Sequence, residues 1–145
     1  MAGGGINLPP STTGAPPATL DYDFWLGPAP WRPYDSNRVH RSYRYYWDYS
    51  GGVFIDFWCH YADLAYWALD LKAPLAVSAA GGRWVAKDNA ETPDVLEVLY
   101  EYPNNLVLTW TLHPRGRPGY EHMGSCVIFE GSDATLVSNY SRHEV

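Results

Sequence analysis

The sequence is poor in cysteine, in positive charge and in long apolar runs, and each shortage excludes a class of protein. Its two cysteines are too few for a disulfide framework and fit no paired metal-ligand spacing. Ten Lys and Arg residues against sixteen Asp and Glu give a net charge of −6, which argues against a dedicated nucleic-acid binder. No apolar run approaches the roughly 20 residues that cross a bilayer, so no membrane association is expected.

Targeting signals and nucleotide-binding motifs are also missing from the sequence. The amino terminus has neither the basic start nor the apolar stretch of a signal peptide, and Ala2 stands where myristoylation requires Gly. Taken literally, these features predict a cytoplasmic protein. No G-x-G-x-x-G or G-x-x-x-x-G-K-[ST] motif occurs, so we expect this chain to bind no cofactor by itself. No G-x-S-x-G motif occurs either, which argues against a serine nucleophile.

Aromatic residues are the abundant component. The chain has 145 residues, the length of one domain, and contains 7 Trp, 12 Tyr and 4 Phe. Fifteen of these aromatic residues fall between Phe24 and Trp67. Such density is typical of a ring-stacking or sugar-like ligand surface, a large interface or a heavy core.

The chain divides into a short tail and one domain. Residues 1–20 hold four Gly, four Pro and no charge, which predicts a flexible tail or linker. Residues 21–145 form the predicted domain. Pro28, Pro30 and Pro33 exclude a long helix from its first part, which we interpret as an ordered loop with a short helix or strand over residues 38–48.

Hydrophobic periodicity predicts one main helix over residues 53–69, after the Gly51-Gly52 break. Apolar residues recur along one side, and a narrow polar stripe within an arc of about 80° occupies the other. The expected buried residues are Phe54, Phe57, Trp58, Tyr61, Ala65 and Ala68. The polar stripe consists of Asp56, His60, Asp63, Trp67 and Asp70.

Strand-like alternation follows the helix. It predicts strands over residues 75–85, with Gly81-Gly82 as a bulge, then a hairpin over 95–113, and short strands over 125–129 and 134–137. Leu96, Val98, Tyr100 and Tyr102 are expected on the inner face of the hairpin. The predicted fold is α+β, an open antiparallel β-sheet with one main helix packed on one face.

Asp56 and His60 form the strongest local candidate for chemistry. The i, i+4 spacing places a carboxylate and an imidazole side by side on one helix face, where both can reach one substrate hydroxyl. The alternative interpretation is a solvated polar stripe on an amphipathic helix. A second alternative adds Asp63, since two carboxylates and an imidazole suit a divalent metal ion.

The segment over residues 38–47 alternates arginine with aromatic residues. Its charge is offset by Asp35 and Asp48, so a small anionic or hydroxylated ligand fits it better than nucleic acid. Arginine stacked on aromatic rings in a structural loop is the alternative.

Three ordered motifs resemble the second domain of Gfo/Idh/MocA oxidoreductases. They are LDYDFWLGPAP at 20–30, RYYWDYSGG at 44–52, and Asp56-x-x-x-His60-x-x-Asp63-x-x-x-Trp67. In that family a Rossmann domain binds NAD(P), and the second domain supplies the substrate site and the oligomer interface. The resemblance implies an acid/base pair at Asp56 and His60. It also implies substrate-binding positions at Trp25 and Arg44, to which we add Trp47 and Asp63 from the same motifs.

The sequence also departs from the family. The dinucleotide fingerprint, the Glu-Lys-Pro motif that supplies a catalytic Lys, and the final helices are absent. We therefore expect a truncated domain that does not act as a dehydrogenase alone, with NAD(P) implied only for the full-length family. Three hypotheses follow: the substrate domain of a sugar or polyol oxidoreductase, a free-standing hydrolase, lyase or isomerase acting on carbohydrate, or a non-catalytic binding module. A homo-oligomer, a dimer or a multiple of one, is expected to bury the outer face of the hairpin.

Overall fold

The computed structural model describes residues 7–114, 119 and 121–145. Its helices are α1 (Tyr22–Leu26) and α2 (Gly52–Leu69), with 3₁₀ helices at Ser36–Arg38, His40–Tyr45 and Glu121–Met123. Its strands are β1 (Thr13–Gly14), β2 (Tyr34–Asp35), β3 (Ala76–Gly82), β4 (Val95–Glu101), β5 (Val107–Leu112), β6 (Val127–Glu130), β7 (Thr135–Ser138) and β8 (His143–Glu144).

The α+β class with antiparallel strands and one main helix is confirmed. The described strands form three separate sheets, in the orders β1-β2, β3-β4-β5 and β6-β7-β8. Strand β8, which pairs with β7, was not predicted because two residues carry no alternation. No helix in the described part of the chain is both long and apolar enough to cross a bilayer.

The described part of the predicted tail contacts the domain. Strand β1 pairs with β2 through Thr13 and Asp35, and the backbone N–H of Leu8 donates to Asp88 Oδ2 at 2.6 Å. Residues 1–6 lie outside the described residues. Backbone pairing with distant residues holds residues 7–14 in place, although their composition is that of a linker.

Helix α1 starts and stops at local signals. The Asp21 side chain accepts from the Phe24 N–H at 3.1 Å, as an N-cap does. Gly27 ends the helix with a φ of 53°, and Pro28 follows it. Helix α1 is therefore only five residues long, because Pro28, Pro30 and Pro33 prevent it from continuing.

Helix α2 matches the predicted helix to within one residue. It ends at Asp70, which has left-handed φ and ψ of 49° and 42° and donates its N–H to the Tyr66 carbonyl. Tyr61 and Ala65 are buried as predicted, and Phe54, Phe57 and Trp58 are half-buried. Ala68, which was predicted to be buried, is exposed.

The inner face of the β3–β5 sheet packs against α2. Trp58 stacks on Tyr100 with ring centroids 4.7 Å apart, and Phe54 meets Trp110 edge-on at 5.7 Å. Val98, Tyr100 and Tyr102 are buried in this contact. The hairpin between β4 and β5 turns at Asn104 and Asn105, which have φ of 63° and 61°, as a type I′ turn requires.

The predicted bulge at Gly81-Gly82 is wrong. Gly81 pairs with Leu96 and Gly82 with Val95 in unbroken register. A Cβ on Gly81 would lie 2.8 Å from the Leu96 Cα. Glycine here allows two backbones to approach closely and does not bend the strand.

Candidate functional site

Arg44 joins the loop to the polar stripe of α2. Its Nε lies 3.1 Å from Asp56 Oδ2, and both side chains are largely shielded from solvent. The contact arises because the 3₁₀ helix His40–Tyr45 runs into the tight segment before α2. Two residues predicted from separate motifs are therefore neighbours in space.

Three contacts hold the Arg44 side chain in place. Besides Asp56, its Nη1 donates to the Arg41 carbonyl at 3.1 Å, and its guanidinium lies 5.8 Å from the centroid of the Tyr43 ring. The buried Nε–H is not aimed at the Asp56 oxygen and makes no hydrogen bond of good geometry. A buried donor without an acceptor is uncommon in proteins, which marks the contact between Arg44 and Asp56 as an unusual one.

His60 lies one turn further along the same helix face. Its ring is exposed and packs against Phe57 at 5.9 Å and edge-on against Tyr140 at 6.4 Å. No hydrogen bond joins His60 to Asp56, both of which the structure describes. Acid/base action by this pair would therefore pass through a shared substrate hydroxyl and not through direct contact.

An open aromatic cleft lies beside this arrangement. Its volume is about 510 Å³. Trp25 is fixed at its edge, stacked on Tyr22 at 6.0 Å and edge-on to Tyr49 at 5.1 Å. The cleft is lined by Trp25, Leu26, Pro28, Ala29, Pro30, Tyr43, Asp48 and Tyr49.

Asp48 supplies a carboxylate to the cleft wall. Arg32 Nε donates to its Oδ2 at 2.8 Å, and Arg38 Nη1 lies 3.4 Å from the same atom. The hydrogen bond from Arg32 lowers the pKa of Asp48 below its ordinary value. The cleft therefore carries an ionised acceptor at neutral pH between aromatic walls.

A buried polar network joins residues 38–46 to residues 89–91. Tyr46 is fully buried, and its hydroxyl donates to Asn89 Oδ1 at 2.9 Å. Arg38 lies 4.4 Å over the Tyr46 ring and binds Glu91 at 2.7 Å. Burial raises the pKa of Tyr46 to about 12, so the phenol stays protonated as a donor.

Trp47 and Asp63 differ from the other predicted residues. The backbone N–H of Trp47 donates to Glu91 Oε2 at 3.0 Å, and the residue is 59% exposed. Asp63 is exposed. Among the residues that the structure describes, no three His, Cys, Asp or Glu side chains converge as metal ligands would.

The loop over residues 83–94 carries charged residues that the sequence patterns did not single out. Asp94 is fully buried and accepts from the N–H groups of Trp84, Val85 and Ala86 at 2.8, 3.0 and 2.5 Å. Burial alone would raise the pKa of Asp94, but these backbone donors outweigh it and lower the pKa. Arg83 pairs with Asp88 at 2.5 Å. No periodicity marks such residues, since their partners are backbone groups in irregular structure.

One comparison with known proteins gives a match. The model of an oxidoreductase family, C-terminal alpha/beta domain, matches residues 4–110. The matched region contains the loop, α2, β3, β4 and most of β5, and thus every predicted site residue. No curated protein matches the chain.

Proposed function

The chain belongs to the Gfo/Idh/MocA oxidoreductase family, whose C-terminal domain it matches, and on that premise we propose that it is the substrate-binding domain of a sugar or polyol oxidoreductase. The contact between Arg44 and Asp56 carries this proposal. Arg44 matches a substrate-binding position of the family and Asp56 matches an acid/base position, and Arg44 Nε lies 3.1 Å from Asp56 Oδ2.

The cleft suits a hydroxylated ring. Aromatic faces such as that of Trp25 pack on the C–H surface of a sugar, and an ionised carboxylate such as Asp48 accepts hydrogen bonds from hydroxyl groups. His60 would exchange the proton of the reacting hydroxyl, while Arg44 orients Asp56. Tyr43 lines the cleft and also lies against the Arg44 guanidinium, which connects the cleft to this pair. Exposed Trp47 adds a second stacking surface.

We propose that the dinucleotide implied by the family is not bound by the described part of this chain. A pyrophosphate site needs a glycine-rich turn whose backbone is open to the ligand at the start of a helix. Among the described residues, the glycine pair at the start of the long helix α2 is Gly51-Gly52, and a Cβ on Gly52 would lie 2.5 Å from Thr92 Oγ1. Thr92 already fills that space. NAD(P) would have to be bound by a Rossmann domain outside residues 1–145, so the hydride acceptor is not supplied here.

Ligand titration tests the sugar site. A panel of hexoses and polyols is titrated against the chain by saturation-transfer NMR. We expect saturable binding that Trp25→Ala and Arg44→Gln each weaken, while Asp70→Asn leaves it unchanged. Asp70 is the control because it directly follows the last turn of α2, is exposed, and has a left-handed conformation that Asn tolerates. Absence of binding across the panel, or equal affinity in Arg44→Gln, would contradict the proposal.

The acid/base role and the cofactor statement have separate tests. For any turnover of a sugar-like substrate, Asp56→Asn and His60→Ala should each reduce the rate by about 10²–10⁴ with the fold intact. Wild-type rates in both variants would favour the alternative interpretation, in which Asp56 and His60 belong only to a solvated polar stripe. Titration of NADH fluorescence should be flat, and saturable binding would overturn the cofactor statement alone.

We further propose that the β3–β5 sheet makes a homo-oligomer, as a binding module would. Both faces of β3 are exposed, and Leu99 and Val107 on the outer face are 36% and 53% exposed. Light scattering should give a mass well above 16.3 kDa. Val107→Glu should lower that mass, whereas Val85→Glu, at an exposed position outside the sheet, should not. A wild-type monomer would refute the assembly and leave the sugar site untouched.

A further inference from the structure

A second cavity is lined by residues of the amino-terminal segment and by the first three residues of the 3₁₀ helix His40–Tyr45. Its volume is about 470 Å³. Pro9, Pro17 and Leu20 contribute apolar walls. The polar lining consists of Thr19, Ser36, Asn37, His40, Arg41 and Ser42.

The lining contains no carboxylate among the described residues, although the chain as a whole carries a net charge of −6. The hydroxyl group of Ser36 accepts from the Thr12 N–H at 2.9 Å, which leaves its own hydrogen available to a ligand. The cavity therefore presents a cation and hydroxyl donors in an otherwise acidic protein.

Arg41 is the arginine of this segment whose charge is not balanced. Arg38 pairs with Asp48 and Glu91, and Arg44 pairs with Asp56. Arg41 is exposed, and among the residues that the structure describes it makes no ion pair. Of the three arginines in residues 38–47, Arg38 and Arg44 therefore have structural partners, and Arg41 is available to a ligand.

The backbone at the cavity adopts an uncommon conformation. His40 has a φ of 52°, in the left-handed region that is uncommon for residues other than Gly, although Asn, Asp and His adopt it more often than most. Strain of this kind persists where the surrounding structure enforces it, and it is concentrated at binding sites. It holds the His40 side chain at the cavity beside Arg41.

We propose that this cavity binds a small oxyanion, the phosphate or carboxylate group of a small metabolite, with Arg41 as the charged partner. The hydroxyl groups of Thr19, Ser36 and Ser42 and the His40 ring supply further donors. Arginine suits this role because its planar donors match two oxygens of a carboxylate or phosphate. The site is independent of the proposed sugar cleft, since none of its lining residues lines that cleft.

Titration with inorganic phosphate and, separately, with malonate tests the proposal. Ionic strength is held constant with chloride, and binding is followed by ¹H–¹⁵N NMR of the chain. We expect saturable shifts centred on residues 36–42, and the tighter of the two probes identifies phosphate or carboxylate as the preferred group. Shifts that stay linear with concentration, or that are centred elsewhere, would overturn the proposal even without a variant.

Two variants sharpen the test. Arg41→Gln should weaken binding by about tenfold or more, because it removes a charge-assisted partner. Arg142→Gln is the matched control at an exposed position far along the sequence and should bind as the wild type does. His40→Gly should keep or raise the melting temperature while it weakens binding, since glycine relieves the left-handed strain and removes a donor. Unchanged affinity in Arg41→Gln would exclude this site.

Discussion

Two regions of the molecule are held together by different forces. The helix–sheet layer, α2 with β3–β5, is joined by rings such as the Trp58–Tyr100 stack. The polar junction, residues 32–49 with residues 83–94, is joined by ion pairs and buried hydrogen bonds such as those of Arg38 with Glu91 and of Tyr46 with Asn89. Apolar packing fixes the scaffold, whereas polar contacts between distant segments fix the irregular backbone that carries the site.

Two of the contacts between the regions bear on the candidate site. Arg44 leaves the junction to reach Asp56 on α2, and Thr92 of the junction packs on Gly52 at the start of the same helix. The candidate site therefore lies at the seam, where a rigid helix face and a polar loop are brought together. Changes on either side should have distinguishable effects.

The largest effect is expected inside the helix–sheet layer. Tyr100→Ala removes a buried ring that stacks on Trp58, and we expect a loss of about 4 kcal/mol in the free energy of unfolding. Urea denaturation followed by tryptophan fluorescence measures it. Tyr140→Ala, at a side chain that is 68% exposed, is the control. A comparable loss in both variants would mean that the layer is not the main core.

Asp94→Asn should have the next largest effect, within the polar junction. The change removes the charge from a buried carboxylate that accepts three backbone N–H groups, and we expect about 3 kcal/mol of destabilisation. Asp133→Asn provides the same chemical change in an exposed turn and should be near neutral. If Asp94→Asn were also near neutral in urea denaturation, the network would contribute little to stability.

Gly52→Ala tests the seam itself. Alanine there would adopt a φ of 75° and also meet Thr92, so we expect a loss of about 2 kcal/mol. Gly27→Ala is the comparison, since Gly27 has a φ of 53° and a ψ of −126°, a conformation that glycine adopts far more readily than alanine, but nothing lies within 4 Å of the added carbon. A larger loss at Gly52 than at Gly27 would come from the Thr92 contact. Equal losses would show that the seam is not tightly packed.

The smallest effect is expected from acidification, which should destabilise the polar junction before it destabilises the helix–sheet layer. The pKa values of Asp48, Asp88 and Asp94 are lower in the fold than their ordinary value. Their contribution to stability is therefore present above about pH 4 and is lost as the pH falls through the folded pKa values. Hydrogen-exchange protection factors for residues 83–94 should fall before those of β4 and β5. Simultaneous loss in both regions would contradict a separate polar junction.

The helix–sheet layer was largely predictable from the sequence. The 3.6-residue period located α2, and alternation placed Val98, Tyr100 and Tyr102 on the inner face, because both patterns are set by burial of one face. Gly81 was misinterpreted, since composition cannot tell a bulge from a close approach of two strands. Ala68 was wrongly placed on the buried face, because the period gives the direction in which a side chain points and not what lies opposite it.

The candidate site was only half predictable. The helical spacing put Asp56 and His60 on one face, and the family resemblance added Trp25 and Arg44 to the site. Neither indicated that Arg44 would contact Asp56, nor that Asp48 would be held in the cleft by Arg32 and Arg38. Arg32 and Asp48 lie in irregular structure, and Arg44 lies in a 3₁₀ helix separate from α2, so no repeat in the sequence links these positions to their partners.

The sequence by itself determined the class of fold, the main helix with its polar stripe, the hairpin and the family. Each of these follows from a local period or an ordered motif, which is a property of the residue order and does not depend on how the chain folds. Only the tertiary structure decided which arginine pairs with which carboxylate, and that Arg41 keeps an unbalanced charge beside a cavity. The physical reason is that ion pairs and buried hydrogen bonds depend on distances between segments far apart in the chain, which packing of the core sets.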